Sequence, residues 1–282
     1  MKQVLVLGYY DRYNLGDEAY KIAMRRYIPN FQLTFKCSDD LKESDLENKD
    51  AILVGGGDLV NDYFNLKIDP VLNRFRGIKI ALSLGIPFSN LVTEKYFKHY
   101  DHVFTRNYEE LRRLQVLMGS EKAHYLPDLT FQLSNPPTRV KVKDQKRCGV
   151  FMINNALRYS FLIDNIADIL AKLSGEYKLI FYSFNTSPFM RKAPGLSEGD
   201  REINCHMSSV LTSQYGVDPS QIEVDDNVYQ VEEMLEKISS LDFAVCMRYH
   251  SHIFLMINDI PFMSVSTTKK TRSLMTHARA QE

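Results

Sequence analysis

The feature that most constrains this chain is its rhythm of short apolar runs separated by helix-length amphipathic stretches. In the first half the runs are Val4–Leu7, Leu33–Cys37, Ala51–Val54, Ile78–Leu84, His102–Thr105 and His124–Leu126. In the second half they are Gly149–Ile153, Lys178–Phe184, Gln221–Val224, Phe243–Met247 and Phe262–Val265. Runs of this length, apolar on both faces, suit parallel strands covered by helices on either side. The clearest helical periods are Phe161 to Leu173 and Val228 to Leu241, each with its apolar residues on one face. Alternating strands and helices predict an α/β chain of two Rossmann-like domains with parallel sheets facing a cleft. In open parallel sheets ligands bind beyond the carboxyl ends of the strands, so the residues just after each run are the ones to examine for chemistry.

The strongest change in composition falls at Ser134 to Arg147, where Pro136-Pro137 precedes a basic, polar stretch with no helix or strand period. This reads as a linker and divides the chain into domains at 1–135 and 148–282, joined by 136–147. With 282 residues the chain has room for two cores. Lys plus Arg and Asp plus Glu each number 35, a zero balance that argues against a protein whose main task is holding nucleic acid. Cys37, Cys148 and Cys246 lie in apolar runs and read as core residues, and no C-x-x-C pair suggests a metal. The short apolar run at the start is a strand, not the core of a signal peptide. No run reaches the roughly 18 apolar residues of a spanning helix. The expectation is a soluble, cytoplasmic protein; nothing in the sequence sets its oligomeric state.

Five strand ends stand out. Gly8 to Ala19 contains Asn14, Gly16, Asp17 and Glu18 and opens a helix, but matches neither a dinucleotide fingerprint nor a P-loop. It is either a capped turn or a loop whose Asp17 or Glu18 touches a polyhydroxylated substrate. Gly55, Gly56 and Gly57, followed by Asp58 and Asp62, end the third run. Such a loop serves equally for a tight turn or for close approach of a ligand. Arg106 ends the fifth run. Arg248-Tyr249-His250 directly follows the buried run Phe243–Met247 and precedes a helix. A guanidinium fork and an imidazole beside a helix N-terminus suit a carboxylate or phosphate, and an imidazole exchanges protons near neutral pH. His252, two residues on, reads as structural, since it points away from His250 on a helix, and no third metal ligand is evident nearby. Lys269 and Lys270, after the last run, are either a solvated basic turn or further cations around one anion.

Taken together, G-Y-Y-x-x-x-N-L-G-D-E-A, G-G-G-x-L-x-x-D, the strand ending in Arg106, and R-Y-H followed by a strand and Lys resemble the polysaccharide pyruvyl transferase family, from Val4 to about Leu274. The resemblance implies a two-domain, GT-B-like enzyme. It also implies transfer of the enolpyruvyl unit of phosphoenolpyruvate to two hydroxyls of a sugar, giving a pyruvate ketal and phosphate. It makes Arg248 and His250 the donor pair, joined by Lys270 or Lys269 and by Arg106, with Asp17 or Glu18 as proton acceptor. Asn14, Gly16, Gly55, Gly56, Gly57 and Asp62 fall on the acceptor side or cleft. No cofactor or metal is implied; phosphoenolpyruvate is a co-substrate and a glycan the other partner. The family's Tyr-Asp-Pro-Lys-like segment reads Thr267-Thr268-Lys269-Lys270 here, which leaves the register of the lysine open. The chain also stops soon after its lysines, where such proteins usually continue with helix crossing back to the first domain. Two other readings stand beside this one. One is a GT-B-type glycosyltransferase using a nucleotide sugar, with Glu198, Asp200 or Asp225 gripping the ribose. The other is a carbohydrate-binding descendant without turnover.

Overall fold

The computed structural model describes residues 1–134, 145–186 and 199–278. The chain divides into two compact units, one of Met1–Asp11, Gly16–Gln132 and Thr268–Glu282, the other of Arg12–Leu15 and Leu133–Thr267. In chain order the first half carries β1 (Lys2–Gly8), α1 (Leu15–Tyr27), β2 (Phe31–Cys37), β3 (Ala51–Gly55), α2 (Asp62–Arg74), β4 (Ile78–Leu84), α3 (Glu94–Phe97), β5 (His102–Thr105), α4 (Tyr108–Met118) and β6 (Ala123–Tyr125). Then follow β7 (Arg147–Phe151), α5 (Ser160–Leu173), β8 (Lys178–Tyr182), α6 (Arg201–Tyr215), β9 (Ile222–Asp225), α7 (Val231–Ser239), β10 (Phe243–Cys246), α8 (Tyr249–Ile257), β11 (Phe262–Ser264) and α9 (Lys269–His277).

The first unit holds a six-stranded sheet in the order β2-β1-β3-β4-β5-β6, the second a five-stranded sheet in the order β11-β10-β7-β8-β9. Every strand pairing is parallel. Each expected apolar run thus became a strand: helices cover the sheets, and the central strands β1, β3, β7, β8 and β10 are buried over most of their length. In the first unit Leu5, Leu7, Ile52, Val54 and Ala81 pack with Phe64, Ile68 and Leu72 of α2. In the second, Val150, Phe181 and Val245 pack with Ile166 and Leu170 of α5 and Met207 and Leu211 of α6. Cys37, Cys148 and Cys246 are buried and free, as their apolar surroundings predicted; Cys205 is exposed.

Strand order locates the switch points. In the first sheet the chain leaves β1 toward β2 on one side and β3 on the other, so the crevice lies beyond Gly8 and Gly55. In the second sheet the reversal falls between β7 and β10, beyond Phe151 and Cys246. Diverging helices open a crevice at such points. The glycine loop and Arg248 each stand at one of them.

The division departs from the expected domain limits in two places. The C-terminal segment from Thr268 belongs to the first unit, not to a 148–282 domain. There Lys269 of α9 pairs with Glu110 and donates to Ser89 Oγ at 2.9 Å, and Ser273 donates to Glu109 at 2.8 Å. His277 packs on the rings of Tyr108 and Tyr125. In exchange, Arg12–Leu15 belongs to the second unit, where Asn14 forms an antiparallel bridge with Asn185. The Leu15 N–H donates to the Phe184 carbonyl (2.9 Å), and the Thr186 N–H to that of Tyr13 (3.0 Å). Of the expected linker, 136–144 lies outside the described residues, and Arg147 is already the first residue of β7. Among the described residues no helix is long and apolar enough to cross a membrane.

The start of α2, just past the glycine loop, rests on one cap: Asn61 Oδ1 accepts the Phe64 N–H at 2.9 Å. Asn61→Ala should cost about 1 kcal/mol of stability and Asn61→Asp close to nothing. Chemical denaturation of the three proteins measures both, and equal losses in the two variants would refute the cap.

Candidate functional site

In the first unit the ends of four parallel strands gather an unusual number of charges. Arg106, directly after β5, has its side chain only 2% exposed and spans two carboxylates. Its Nη1 meets Asp128 Oδ2 at 2.5 Å and its Nη2 meets Asp58 Oδ1 at 3.0 Å. Asp128 is also held by the Thr130 N–H (2.9 Å) and hydroxyl (2.6 Å). The other oxygen of Asp58 takes Lys270 Nζ at 2.7 Å. Burial pushes the Asp58 carboxyl upward, but Lys270 and Arg106 more than offset this and hold it far below the usual carboxylate range. The expectation that Arg106 reaches a bound anion is therefore not what its side chain does here: it is buried and its amino groups face Asp58 and Asp128.

Asp17 is the additional carboxyl in this cluster. Burial raises its pKa from 3.8 to about 7, with Arg106 and Lys270 opposing and Glu18 and Asp58 reinforcing the rise. Its Oδ1 lies 3.2 Å from where a Cβ on Gly57 would stand, so it faces the glycine loop directly. Glu18 is committed differently: it accepts the Asp11 N–H at 2.6 Å and pairs with Lys21 at 2.5 Å, fixing the loop before α1. Gly16 is the second residue of the same helix.

The three glycines have internal reasons. A Cβ on Gly56, at φ +81°, would stand 2.8 Å from the Tyr20 ring, and Gly57 has φ +95°. A side chain on Gly55 would collide with the Tyr20 hydroxyl, 2.7 Å away. Of the two uses such a loop can have, the tight turn against Tyr20 is built into it. Asp62, grouped with them from sequence, is the exposed first residue of α2, paired with Lys95 and accepting from the Tyr96 hydroxyl at 2.8 Å.

In the second unit Arg248 is the N-cap residue of α8, at the end of β10. Its Nη2 pairs with Oδ1 of Asp200, whose side chain is fully buried. Asp200 Oδ2 accepts the N–H groups of Phe184 (3.0 Å) and Asn185 (2.9 Å). Burial raises the pKa of this carboxyl, against the pull of Arg248 and the two N–H donors. His250 lies in the first turn of α8, its ring edge-on to Tyr249. His252 is structural, as its spacing indicated. Fully buried, it meets the Arg248 carbonyl through Nδ1 (2.6 Å) and the Ser264 hydroxyl through Nε2 (2.8 Å), with its pKa pushed down by burial to about 4.

The candidates therefore fall into two sets. Asp17, Asp58, Arg106 and Lys270 meet in the first unit, with Lys269 held separately by Glu110. Arg248 and His250 share one helix start in the second. Sequence reasoning missed Asp58 and Asp128 as the partners of Arg106; the signal was an acid after each of two other strands of the same sheet, β3 and β6. The ribose-gripping candidates Asp200 and Asp225 are engaged internally, Asp225 with Asn227 and the Tyr229 hydroxyl at 2.6 Å, while Glu198 lies outside the described residues. Among the described residues no group of His, Cys, Asp or Glu is arranged to hold a metal.

The family model described as polysaccharide pyruvyl transferase matches residues 3–269. No curated protein matches the chain. Among solved structures, the S. aureus MnaA–UDP co-structure superposes with a TM-score of 0.62 at 12% identity, covering 99% of this chain and 82% of that one. UDP-GlcNAc 2-epimerase from Methanocaldococcus jannaschii gives 0.57 at 10% identity, covering 97% and 86%. These likenesses concern the fold, which is of the GT-B type.

Two outcomes test this geometry. A Cβ at Gly85 would stand 2.7 Å from Arg106 Nη2 and nearer still to Asp58. Gly85→Ala should cost roughly 1–3 kcal/mol, read as a fall in Tm, and an unchanged Tm would show that the buried pair is not where it is drawn. Asp17 binds a proton in the folded state up to about pH 7, whereas the unfolded chain releases it near 3.8. The folded state thus holds more protons between those values, and Asp17 lowers stability as pH rises through that window. Asp17→Asn should gain stability over the wild type progressively from about pH 4 to about 7. A constant difference in Tm across that range would refute the titration.

Proposed function

The chain belongs to the polysaccharide pyruvyl transferase family, and from that premise we propose that it transfers the enolpyruvyl group of phosphoenolpyruvate to two hydroxyls of one sugar in a glycan, forming a cyclic ketal. As a transferase of that family its acceptor is a sugar or glycan; the donor and the ketal chemistry are our reading. The observation that carries it is Arg248-x-His250 at the start of α8, on the switch point of the second sheet. A helix N-terminus, a guanidinium and an imidazole suit a small substrate bearing a carboxylate and a phosphate.

The chemistry balances as follows. His250, as imidazolium, delivers a proton to the methylene carbon, and the enol carbon becomes oxocarbenium-like. A sugar hydroxyl attacks that carbon, the C–O bond to phosphate breaks, and a second hydroxyl closes the ketal. Of the two hydroxyl protons, one replaces the proton consumed at the methylene and the other leaves as hydrogen phosphate. Arg248 stabilises the departing phosphate or the carboxylate. Asp17 is the residue we assign to accept a hydroxyl proton. It faces the glycine loop and titrates near neutrality, whereas Glu18 is occupied by Lys21 and the Asp11 N–H. The alternative donor, a nucleotide sugar, loses support because Asp200 and Asp225 are internally engaged.

Phosphate release from phosphoenolpyruvate should depend on added glycan acceptor. His250→Ala should reduce turnover by about 10²–10⁴-fold and Asp17→Asn by a comparable factor, with folding intact by circular dichroism. Thermal shift should show stabilisation by phosphoenolpyruvate. Stabilisation by a nucleotide sugar alone, or wild-type turnover in His250→Ala, would overturn the reading.

A further inference from the structure

Arg248 is held from two sides, and the two holds do different things. Its main-chain carbonyl accepts the Ser251 hydroxyl (2.7 Å) and His252 Nδ1 (2.6 Å), which fixes the backbone where α8 begins. Its guanidinium is turned by Asp200. That carboxylate is fully buried and spends every polar atom on neighbouring elements: Oδ1 on Arg248 Nη2, and Oδ2 on the N–H groups of Phe184 and Asn185 just past β8. The Asp200 N–H donates to the Asn185 carbonyl at 2.8 Å, and its carbonyl accepts from Asn204 N–H at 3.1 Å in the first turn of α6. The strand end after β8, the start of α6 and the Arg248 side chain thus converge on one residue. The Arg248 side chain is 21% exposed, and its Nε is buried with no hydrogen-bond partner among the described residues. Asp200 occupies one corner of the planar fork and leaves the remaining N–H groups unclaimed by it.

We propose that Asp200 is a positioning residue: it orients the Arg248 guanidinium in advance for an anionic substrate group and does not itself touch that substrate. The inference rests on the reading of Arg248 as the anion holder. Its physical basis is that an arginine has a long stem with much rotamer freedom, and a buried partner spends that freedom before the ligand arrives. The alternative is that Asp200 only neutralises a buried charge. The two roles predict opposite signs. A carboxylate near an anion site repels the anion, so removing its charge without changing geometry tightens binding. If Asp200 positions Arg248, removing the charge weakens binding although the site becomes more positive.

The test is calorimetric binding of phosphoenolpyruvate to the full chain, with folding followed by circular dichroism. Arg248→Ala should weaken binding at least tenfold. If it does not, the donor-site reading itself fails, independently of Asp200. Given that loss, Asp200→Asn should raise Kd about tenfold or more and should add little in the Arg248→Ala background, because it acts through Arg248. Unchanged or tighter binding in Asp200→Asn, or the same loss with and without Arg248, would overturn the proposal. Should Asp200→Asn not fold, Arg248→Lys decides. An ammonium can meet Asp200 but has no second face fixed by that contact, so binding should fall as in Arg248→Ala. Wild-type affinity in Arg248→Lys would overturn the positioning role.

Discussion

A buried guanidinium cannot stand alone, and in the first unit much follows from how Arg106 is answered. Its two amino groups reach carboxylates from the ends of two other strands, Asp58 after β3 and Asp128 after β6. That arrangement fixes the strand ends against one another and requires a residue without a side chain at Gly85, where the Asp58–Arg106 pair passes. It also draws in the neighbouring groups. Asp58 is shared between Arg106 and Lys270, and Asp128 pairs with Arg106. Asp17 is the additional carboxyl, and burial lifts it to about 7. Burial, helped by the neighbouring carboxylates Glu18 and Asp58, thus makes a proton-exchanging group beside the glycine loop. Structural ion pairs usually yield inert charges; the extra acid makes the difference here.

The second unit solves a similar problem with a different result. Among the described residues Arg248 meets a single carboxylate, and that carboxylate is completed by backbone N–H groups, where Asp58 is completed by Lys270. The Arg248 side chain stays 21% exposed at the start of α8. Arg106 is enclosed by its partners; Arg248 is aimed by its own. The same residue type, at the end of a parallel strand in each unit, thus serves as a clamp in one and as a presented cation in the other.

Much of this was legible in the residues. The apolar runs determined the strands because a strand covered on both faces has to be apolar throughout, and all eleven runs became strands. Strand ends carrying Asp17, Arg106, Arg248 and Lys270 were recognisable because parallel sheets collect chemistry there. His252 was readable as structural from its two-residue offset from His250, and the structure buries it against Arg248 and Ser264. What the residues did not reveal was partnership. Arg106 looked like a ligand-binding cation because its carboxylates lie 48 and 22 positions away. The resemblance placed Lys270 in the donor set; the contacts it makes, with Asp58 directly and through α9 with Glu109 and Glu110, were not readable from its place after the last run.

By itself the sequence determined the α/β architecture, the two parallel sheets, the family and the strand ends where chemistry belongs. All of these follow from patterns that are local or repeated along the chain. Only the tertiary structure decided which charges are spent on one another and which remain available. Ion pairing between residues 48 or 212 positions apart depends on how strands are ordered in a sheet, not on their spacing. That is why Arg106 became a buried clamp, Asp17 a carboxyl titrating near neutrality, and Asp200 the residue that turns Arg248.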